Sequence, residues 1–253
     1  MSDQRVIYEK KGRLARITLN RPDSLNAIDA QLDAELKAAL SDFDLDDELW
    51  VAILAGNGRS FCAGADIRGA ARPQVTSRIF YYHLDFPINW KPVIAAVHGH
   101  IYGAGLILAA ESDVIVATED AKFAIVETKQ GIPAVTLFAQ LAPWMGSKKL
   151  TEMILTGEPL SAQEAYQRGL VNKLVPTREE LVPAAEEIAD KILANPPLAV
   201  RTAVQLARTS AQQSQLHSEA AVILRNCGWK KSEDYAEGMK AFREKRKPVY
   251  RGR

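Results

Sequence analysis

Two stretches rich in glycine and alanine stand out as places where the main chain itself could do chemistry. The first runs Gly56-Asn57-Gly58-Arg59-Ser60-Phe61-Cys62-Ala63-Gly64-Ala65-Asp66-Ile67, and the second His98-Gly99-His100-Ile101-Tyr102-Gly103-Ala104-Gly105. After Phe61 the first presents a row of small residues, so a ligand can come close to N–H groups that no side chain screens. The second feeds an apolar helical segment from Leu106 to Ala110. Free N–H groups and the dipole at a helix N-terminus favour negative charge there. Either turn alone is also what the packing of a strand on a helix requires. Neither carries the three spaced glycines of a dinucleotide fingerprint or the Lys-Ser/Thr ending of a phosphate loop. No Gly-x-Ser-x-Gly elbow occurs, which turns the reading away from ordinary serine hydrolases. His83, His98, His100 and His217 lack metal-type helical spacing, and no metal site is expected.

The elements that must hold these turns follow from hydrophobic periodicity. Arg13 to Leu19 alternates like a strand and turns at Arg21-Pro22-Asp23. Asn26 is expected to cap a helix whose apolar positions are Ile28, Leu32, Leu36, Leu40 and Phe43. Val51 to Ala55 is apolar on both faces, as a buried parallel strand should be, and Val93 to Val97 repeats that type. Asp113 to Ala117 is a further strand, expected to pair with Lys122 to Val126 across the Thr118-Glu119-Asp120 turn. From about Val135 helices take over. Leu181, Ala185, Ile188 and Ile192 form one stripe that ends before Asn195-Pro196-Pro197, and further helices are expected at 198–211, 216–228 and 233–245. No Ser/Gly-rich linker interrupts the chain. The expectation is one continuous α/β domain with a helical C-terminal extension, and the pattern suits a coiled, spiral sheet as well as an open one.

Composition narrows the class. Of 253 residues, 47% are hydrophobic and 25% charged, with a net charge of +1, so nothing favours nucleic acid or a membrane surface. Only the tail is basic, with Lys240, Arg243, Lys245, Arg246, Lys247, Arg251 and Arg253, which suits a solvated helix face or contact with phosphates. Cys62 and Cys227 suggest no disulfide framework. No apolar signal core, spanning-length run or peroxisomal ending is seen, so a soluble, cytoplasmic protein is expected.

Five blocks in order resemble the crotonase (enoyl-CoA hydratase/isomerase) superfamily. They are Asn20-Arg21-Pro22-x-x-Leu25-Asn26-Ala27; Phe61 to Ile67; Lys91-Pro92-Val93-Ile94-Ala95-Ala96-Val97-His98-Gly99 with Gly103-Ala104-Gly105; Leu155 to Ala165 with Gly169-Leu170-Val171; and Phe242-x-Glu244-Lys245-Arg246-x-Pro248-x-Tyr250. The resemblance spans nearly the whole chain. It implies a spiral of ββα units over residues 1–195 that binds acyl-CoA, then a helical trimerisation region over 196–253. The assembly would be a homotrimer or a dimer of trimers. No separate cofactor is implied, since coenzyme A arrives as part of the substrate.

By motif position, the backbone N–H groups of Ala65 and Ala104 become the oxyanion donors. Contacts to the CoA moiety fall on Ser24, Leu25, Ala63, Asp66, Ile67, Gly103 and Lys245. Asp23 departs from relatives that carry a basic residue there. Two glutamates serve the hydratases of this superfamily. One position matches Glu127, but the other holds Ile107, which can neither give nor take a proton. A single carboxylate suits an isomerase, with Glu111, one helical turn beyond Ile107, as a substitute acid or a salt-bridge partner. His98 and His100 would serve a hydrolytic variant, or simply bond to the turn. The reading is therefore an enoyl-CoA hydratase/isomerase-type enzyme. Its alternatives are a hydrolase of a diketone or β-keto acyl-CoA, and a non-catalytic family member that binds acyl-CoA or RNA.

Overall fold

An amphipathic first pair of strands and the continuous apolar runs that follow build one six-stranded sheet. The computed structural model describes residues 4–66, 90–212 and 231–251. β1 (Val6–Lys11) and β2 (Leu14–Leu19) form an antiparallel hairpin. β3 (Val51–Gly56) and β4 (Val93–Val97) follow in parallel beside β2. β5 (His100–Tyr102) leaves this sheet, and α2 (Ala104–Glu111) returns the chain to β6 (Val114–Thr118), parallel to β4. Every residue of β3 is buried because both faces of the sheet are covered. Ala52 and Leu54 face one core cluster with Leu32, Leu36, Leu40 and Phe43, while Val51, Ile53 and Ala55 face another with Leu181 and Ala185. That is the two-residue period of a strand read in three dimensions.

Two sequence expectations need correction. The first concerns Asn26, which does not cap the following helix, α1 (Ala30–Leu45). It is fully buried in a left-handed backbone conformation (φ 54°), and the cap is Asp29, whose carboxylate accepts from Leu32 N–H at 2.9 Å. The second concerns the hairpin expected between 113–117 and 122–126, which does not form. Both edges of β6 are already paired, with β4 and with β9 (Lys173–Val175). β7 (Lys122–Ala124) instead crosses to a second, three-stranded sheet, between β5 and β8 (Leu160–Ser161). The strands β8 and β9 are too short to leave a periodic signal in a region that reads as helical.

The rest is helical: α3 (Val135–Met145), α4 (Ser147–Thr156), α5 (Ala162–Gln167), α6 (Leu181–Leu193), α7 (Pro197–Gln212) and α8 (Glu233–Glu244). The expected stripe on α6 is present, with Leu181 and Ala185 buried and Ile188 and Ile192 packed beside them. The expected helix at 216–228 lies outside the described residues. α7 is tied to the sheet by Arg208, whose guanidinium holds Asp113 at 2.6 and 2.9 Å and donates to Lys91 O at 3.2 Å. Lys91, wholly buried, spends its ammonium on the end of α1, at Phe43 O (2.8 Å) and Asp46 O (2.6 Å). Among the described residues no helix is long and apolar enough to cross a membrane.

Candidate active site

The two Gly-bearing turns leave neighbouring parallel strands, β3 and β4, at the same end of the sheet, so the topology alone brings them together. The first turn is pinned from below by Asn26. Its amide donates to Asn57 O (2.8 Å) and Ser60 O (2.9 Å), and its Oδ1 accepts from Arg21 N–H (2.7 Å). Beyond Cys62 the turn runs beside residues 25–28. Ala63 N–H donates to Leu25 O at 3.0 Å, Ile28 N–H to Gly64 O at 2.8 Å and Asp66 N–H to Ile28 O at 2.9 Å. Ile28 thus bonds the residues on either side of Ala65, with which it forms an isolated parallel bridge. Alternation along an extended chain then turns the N–H of Ala65 away from Ile28. That N–H has no hydrogen-bond partner among the described residues.

The second turn shows the same economy. Tyr102 N–H donates to Cys62 O (3.0 Å) and Gly103 N–H to Ala124 O (3.0 Å), while Gly103 O accepts from Leu106 and Ile107. Ala104, the first residue of α2, keeps its N–H unpaired among the described residues, as a helix N-terminus leaves it. Gly64 lets the turns touch. At φ +98° it holds a conformation most side chains avoid, and a Cβ there would sit 3.0 Å from Tyr102 O and 3.6 Å from Ala104 N. Two unpaired donors, one from each turn, therefore lie on adjoining backbone.

Glu127 completes the group. It follows β7 and opens a short 3₁₀ turn, Glu127–Gln130. A Cβ on Gly103 would fall 2.2 Å from its Oε1, so the carboxyl occupies the space that a side chain at 103 would take, beside the start of α2. Its Oε2 is buried without a hydrogen-bond partner. Burial, only partly offset by the backbone N–H groups of Glu127 and Val126, raises the carboxyl from 4.5 to about 7. Ile107 is 1% exposed and belongs to the apolar core, so the neighbouring position supplies no second carboxylate. Glu111, at the end of α2, is engaged rather than free.

The other expected residues are distributed as follows. Ser24 ends the 3₁₀ turn Pro22–Ser24, and its carbonyl accepts from Ala27 N–H at 3.0 Å. Leu25, left-handed at φ 52°, gives its carbonyl to Ala63. The carboxylate of Asp66 meets Arg21 at 2.6 Å, a contact between residues 45 apart that no local pattern signals. Ile67 lies outside the described residues. Asp23 is exposed. Lys245 is exposed, in a left-handed conformation at the end of α8. His98 and His100 are both committed to the first turn, through Gly58 O (2.9 Å) and the Ser60 hydroxyl (2.8 Å). Cys62 is a buried thiol pushed up to about 12 by burial. Among the described residues no cluster of three or more His, Cys, Asp or Glu could hold a metal.

Paired turns with unpaired N–H groups and a buried carboxyl beside them thus sit on a mixed α/β frame of two sheets and flanking helices. The family model for enoyl-CoA hydratase/isomerase matches residues 9–253, and the chain belongs to that family. Its relatives include a protein of Dictyostelium discoideum described as a probable mitochondrial enoyl-CoA hydratase, 37% identical over 96% of this chain and 89% of that one. A carnitinyl-CoA dehydratase of Salmonella typhi is 35% identical over 96% of this chain and 97% of its own length. Among solved structures, the carnitinyl-CoA hydratase of Mycobacterium avium superposes with a TM-score of 0.83 at 33% identity over the whole of both chains. A methylmalonyl CoA decarboxylase superposes with a TM-score of 0.85 at 29% identity, again over both full lengths.

Proposed function

We propose that this enzyme acts on an acyl-CoA thioester and shifts a double bond by moving one proton through an enolate. Ala65 and Ala104 N–H would bind the thioester oxygen, where the enolate concentrates its charge. Preorganised donors of this kind are worth most in a site closed to water. Glu127 as carboxylate would take a proton from C2 of a 3-enoyl thioester. Electrons from that C–H bond form the C1–C2 double bond of the enolate as the carbonyl pair moves onto the thioester oxygen. When that pair returns to rebuild the carbonyl, the C1–C2 pair becomes the 2,3 double bond and the 3,4 pair takes up a proton at C4. The resulting carboxyl returns the proton to C4, leaving a 2-enoyl thioester and the original carboxylate. A proton carrier works best when its pKa lies near the working pH, and burial puts Glu127 there.

The observation that carries this reading is Glu127, its Oε2 buried and unpartnered among the described residues, with apolar Ile107 at the position where the family resemblance puts a second acid. A hydratase needs one group to place water and another to protonate carbon, whereas a double-bond shift needs only one. The names of the relatives, all CoA thioester enzymes, support the substrate class. CoA contacts would come from the backbone around Ser24, Leu25, Ala63, Asp66 and Ile67, from the space at Gly103, and from Lys245 for the phosphates. The division at 195/196 and a homotrimer or dimer of trimers belong to the same reading. Exposed Leu198, Leu206, Phe242 and Tyr250 in the C-terminal part are the apolar surface such an assembly would cover.

The test is Glu127→Gln, assayed on 3-enoyl and 2-enoyl thioesters. Loss of roughly 10²–10⁴-fold in isomerisation, with acyl-CoA affinity nearly unchanged, is expected of a lost acid/base group. Parental rates in the Gln variant would overturn the assignment.

A further inference from the structure

The backbone ladder between the two turns stops short of the donors it is meant to align. Phe61 N–H donates to His98 O (2.8 Å), Cys62 N–H to His100 O (3.1 Å) and Tyr102 N–H to Cys62 O (3.0 Å). The last bridge pairs Cys62 with Ile101. Ala65 and Ala104 lie beyond it, and no main-chain bond among the described residues joins the turns past that point. The angle between the two loops, and so the gap between the two N–H groups, is therefore set by close packing at Gly64 and Gly105 and by side-chain bonds, not by the ladder alone.

Two side-chain bonds brace the turns beside the ladder, on the strand side of the Cys62–Ile101 bridge. The Ser60 hydroxyl meets His100 Nδ1 at 2.8 Å, and His98 Nε2 donates to Gly58 O at 2.9 Å, so each histidine of the second turn holds a different point of the first. Ser60 is wholly buried, and His100 is the partner its hydroxyl has. The His100 ring also meets the Tyr102 ring edge-on, at 5.0 Å between centroids. Tyr102 adjoins Gly103, so the orientation of the ring is tied to the residue that opens α2. Burial lowers the proton affinity of both histidines, which suits a standing hydrogen bond between neutral groups.

We propose that the Ser60–His100 bond is a positioning device that sets the separation of the Ala65 and Ala104 N–H groups. It rests on the oxyanion reading above, and neither residue touches the reacting atoms. Its effect should therefore be on polarisation of the thioester carbonyl, not on CoA affinity.

The experiment compares Ser60→Ala, His100→Phe (which keeps the ring contact with Tyr102) and the double variant with the parent. A lost neutral hydrogen bond and a small shift in donor geometry predict a fall in kcat of roughly five- to tenfold, with KM changed less than about twofold. The double variant should be no slower than the slower single one, because both remove the same interaction. Isotope-edited infrared spectra of bound butyryl-CoA, labelled with carbon-13 at the carbonyl, read the hole directly. The parent should lower the carbonyl stretch relative to free butyryl-CoA, and the variants should lose part of that shift. His100→Asn, whose amide can meet the Ser60 hydroxyl, should restore it. Variants that lose thermal stability but keep the parental kcat and carbonyl shift would overturn the proposal and leave an ordinary buried polar pair. An unshifted carbonyl in the parent would instead sink the oxyanion reading, and this proposal with it. Should Ser60→Ala fail to fold, His100→Phe at the more exposed partner decides the same question.

Discussion

Glu127 should make this protein faster and less stable as pH rises, and the two effects can be measured separately. With its carboxyl held at about 7, the fraction ionised climbs from roughly one-tenth at pH 6 to nine-tenths at pH 8. Because the carboxylate is the form proposed to take the C2 proton, kcat/KM for a 3-enoyl thioester should rise about tenfold across that range. The growing absorbance of the conjugated product follows the rate. The stability effect has the opposite sign. Below 4.5 the group is protonated in both folded and unfolded chains, and it adds no pH dependence. Between 4.5 and about 7 the folded chain keeps a proton that the unfolded chain has released, so stability falls as pH rises. Above 7 the folded protein carries the full cost of the buried carboxylate, on the order of 3 kcal/mol. The neutral amide of Glu127→Gln escapes that cost. The Gln variant should unfold at nearly the parental denaturant concentration at pH 5 and at a clearly higher one at pH 8, with protein concentration fixed. A pH-independent kcat/KM between 6 and 8, or equal stability of parent and variant at both pH values, would refute burial as the cause.

Two further perturbations probe the frame around that carboxyl. Ala104→Pro removes one proposed donor at the first position of α2, where proline is well tolerated in a helix, so the fold should persist by circular dichroism. Turnover should nevertheless drop by roughly 10²–10³-fold, the usual loss for one oxyanion donor, and a normal rate would exclude Ala104. Asn26→Ala strips partners from Asn57 O, Ser60 O and Arg21 N–H in a fully buried place. A loss of about 2–4 kcal/mol in chemical denaturation is expected, since each buried group left unpaired costs about 1–3 kcal/mol; a change under 0.5 kcal/mol would mean that the first turn holds itself.

Much of this enzyme was legible in its residues because the properties in question are local. The apolar runs Val51–Ala55 and Val93–Val97 have the pattern of buried parallel strands, and small residues after each strand leave main-chain N–H groups open. The spacing of Leu181, Ala185, Ile188 and Ile192 likewise fixes a helix face whatever it packs against. The ordered blocks from Asn20 to Tyr250 carried the family, and with it the expectation that Ala65, Ala104 and Glu127 form the site. Tertiary structure decided what depends on partners distant in sequence. β7 left its expected neighbour because β9 had filled that edge, and nothing within 113–126 records a strand at 173–175. Asn26 is of a residue type that caps helices, yet its amide is used by Asn57 and Ser60, groups brought near only by the β3 turn. Whether an N–H is free depends on which carbonyls surround it, so the sequence could suggest Ala104 but not show that Gly103 beside it is spent on Ala124. The raised affinity of Glu127 for its proton is likewise a property of its enclosure. An identical glutamate on an exposed strand end would titrate near 4.5, and only the fold removes the water that keeps it there.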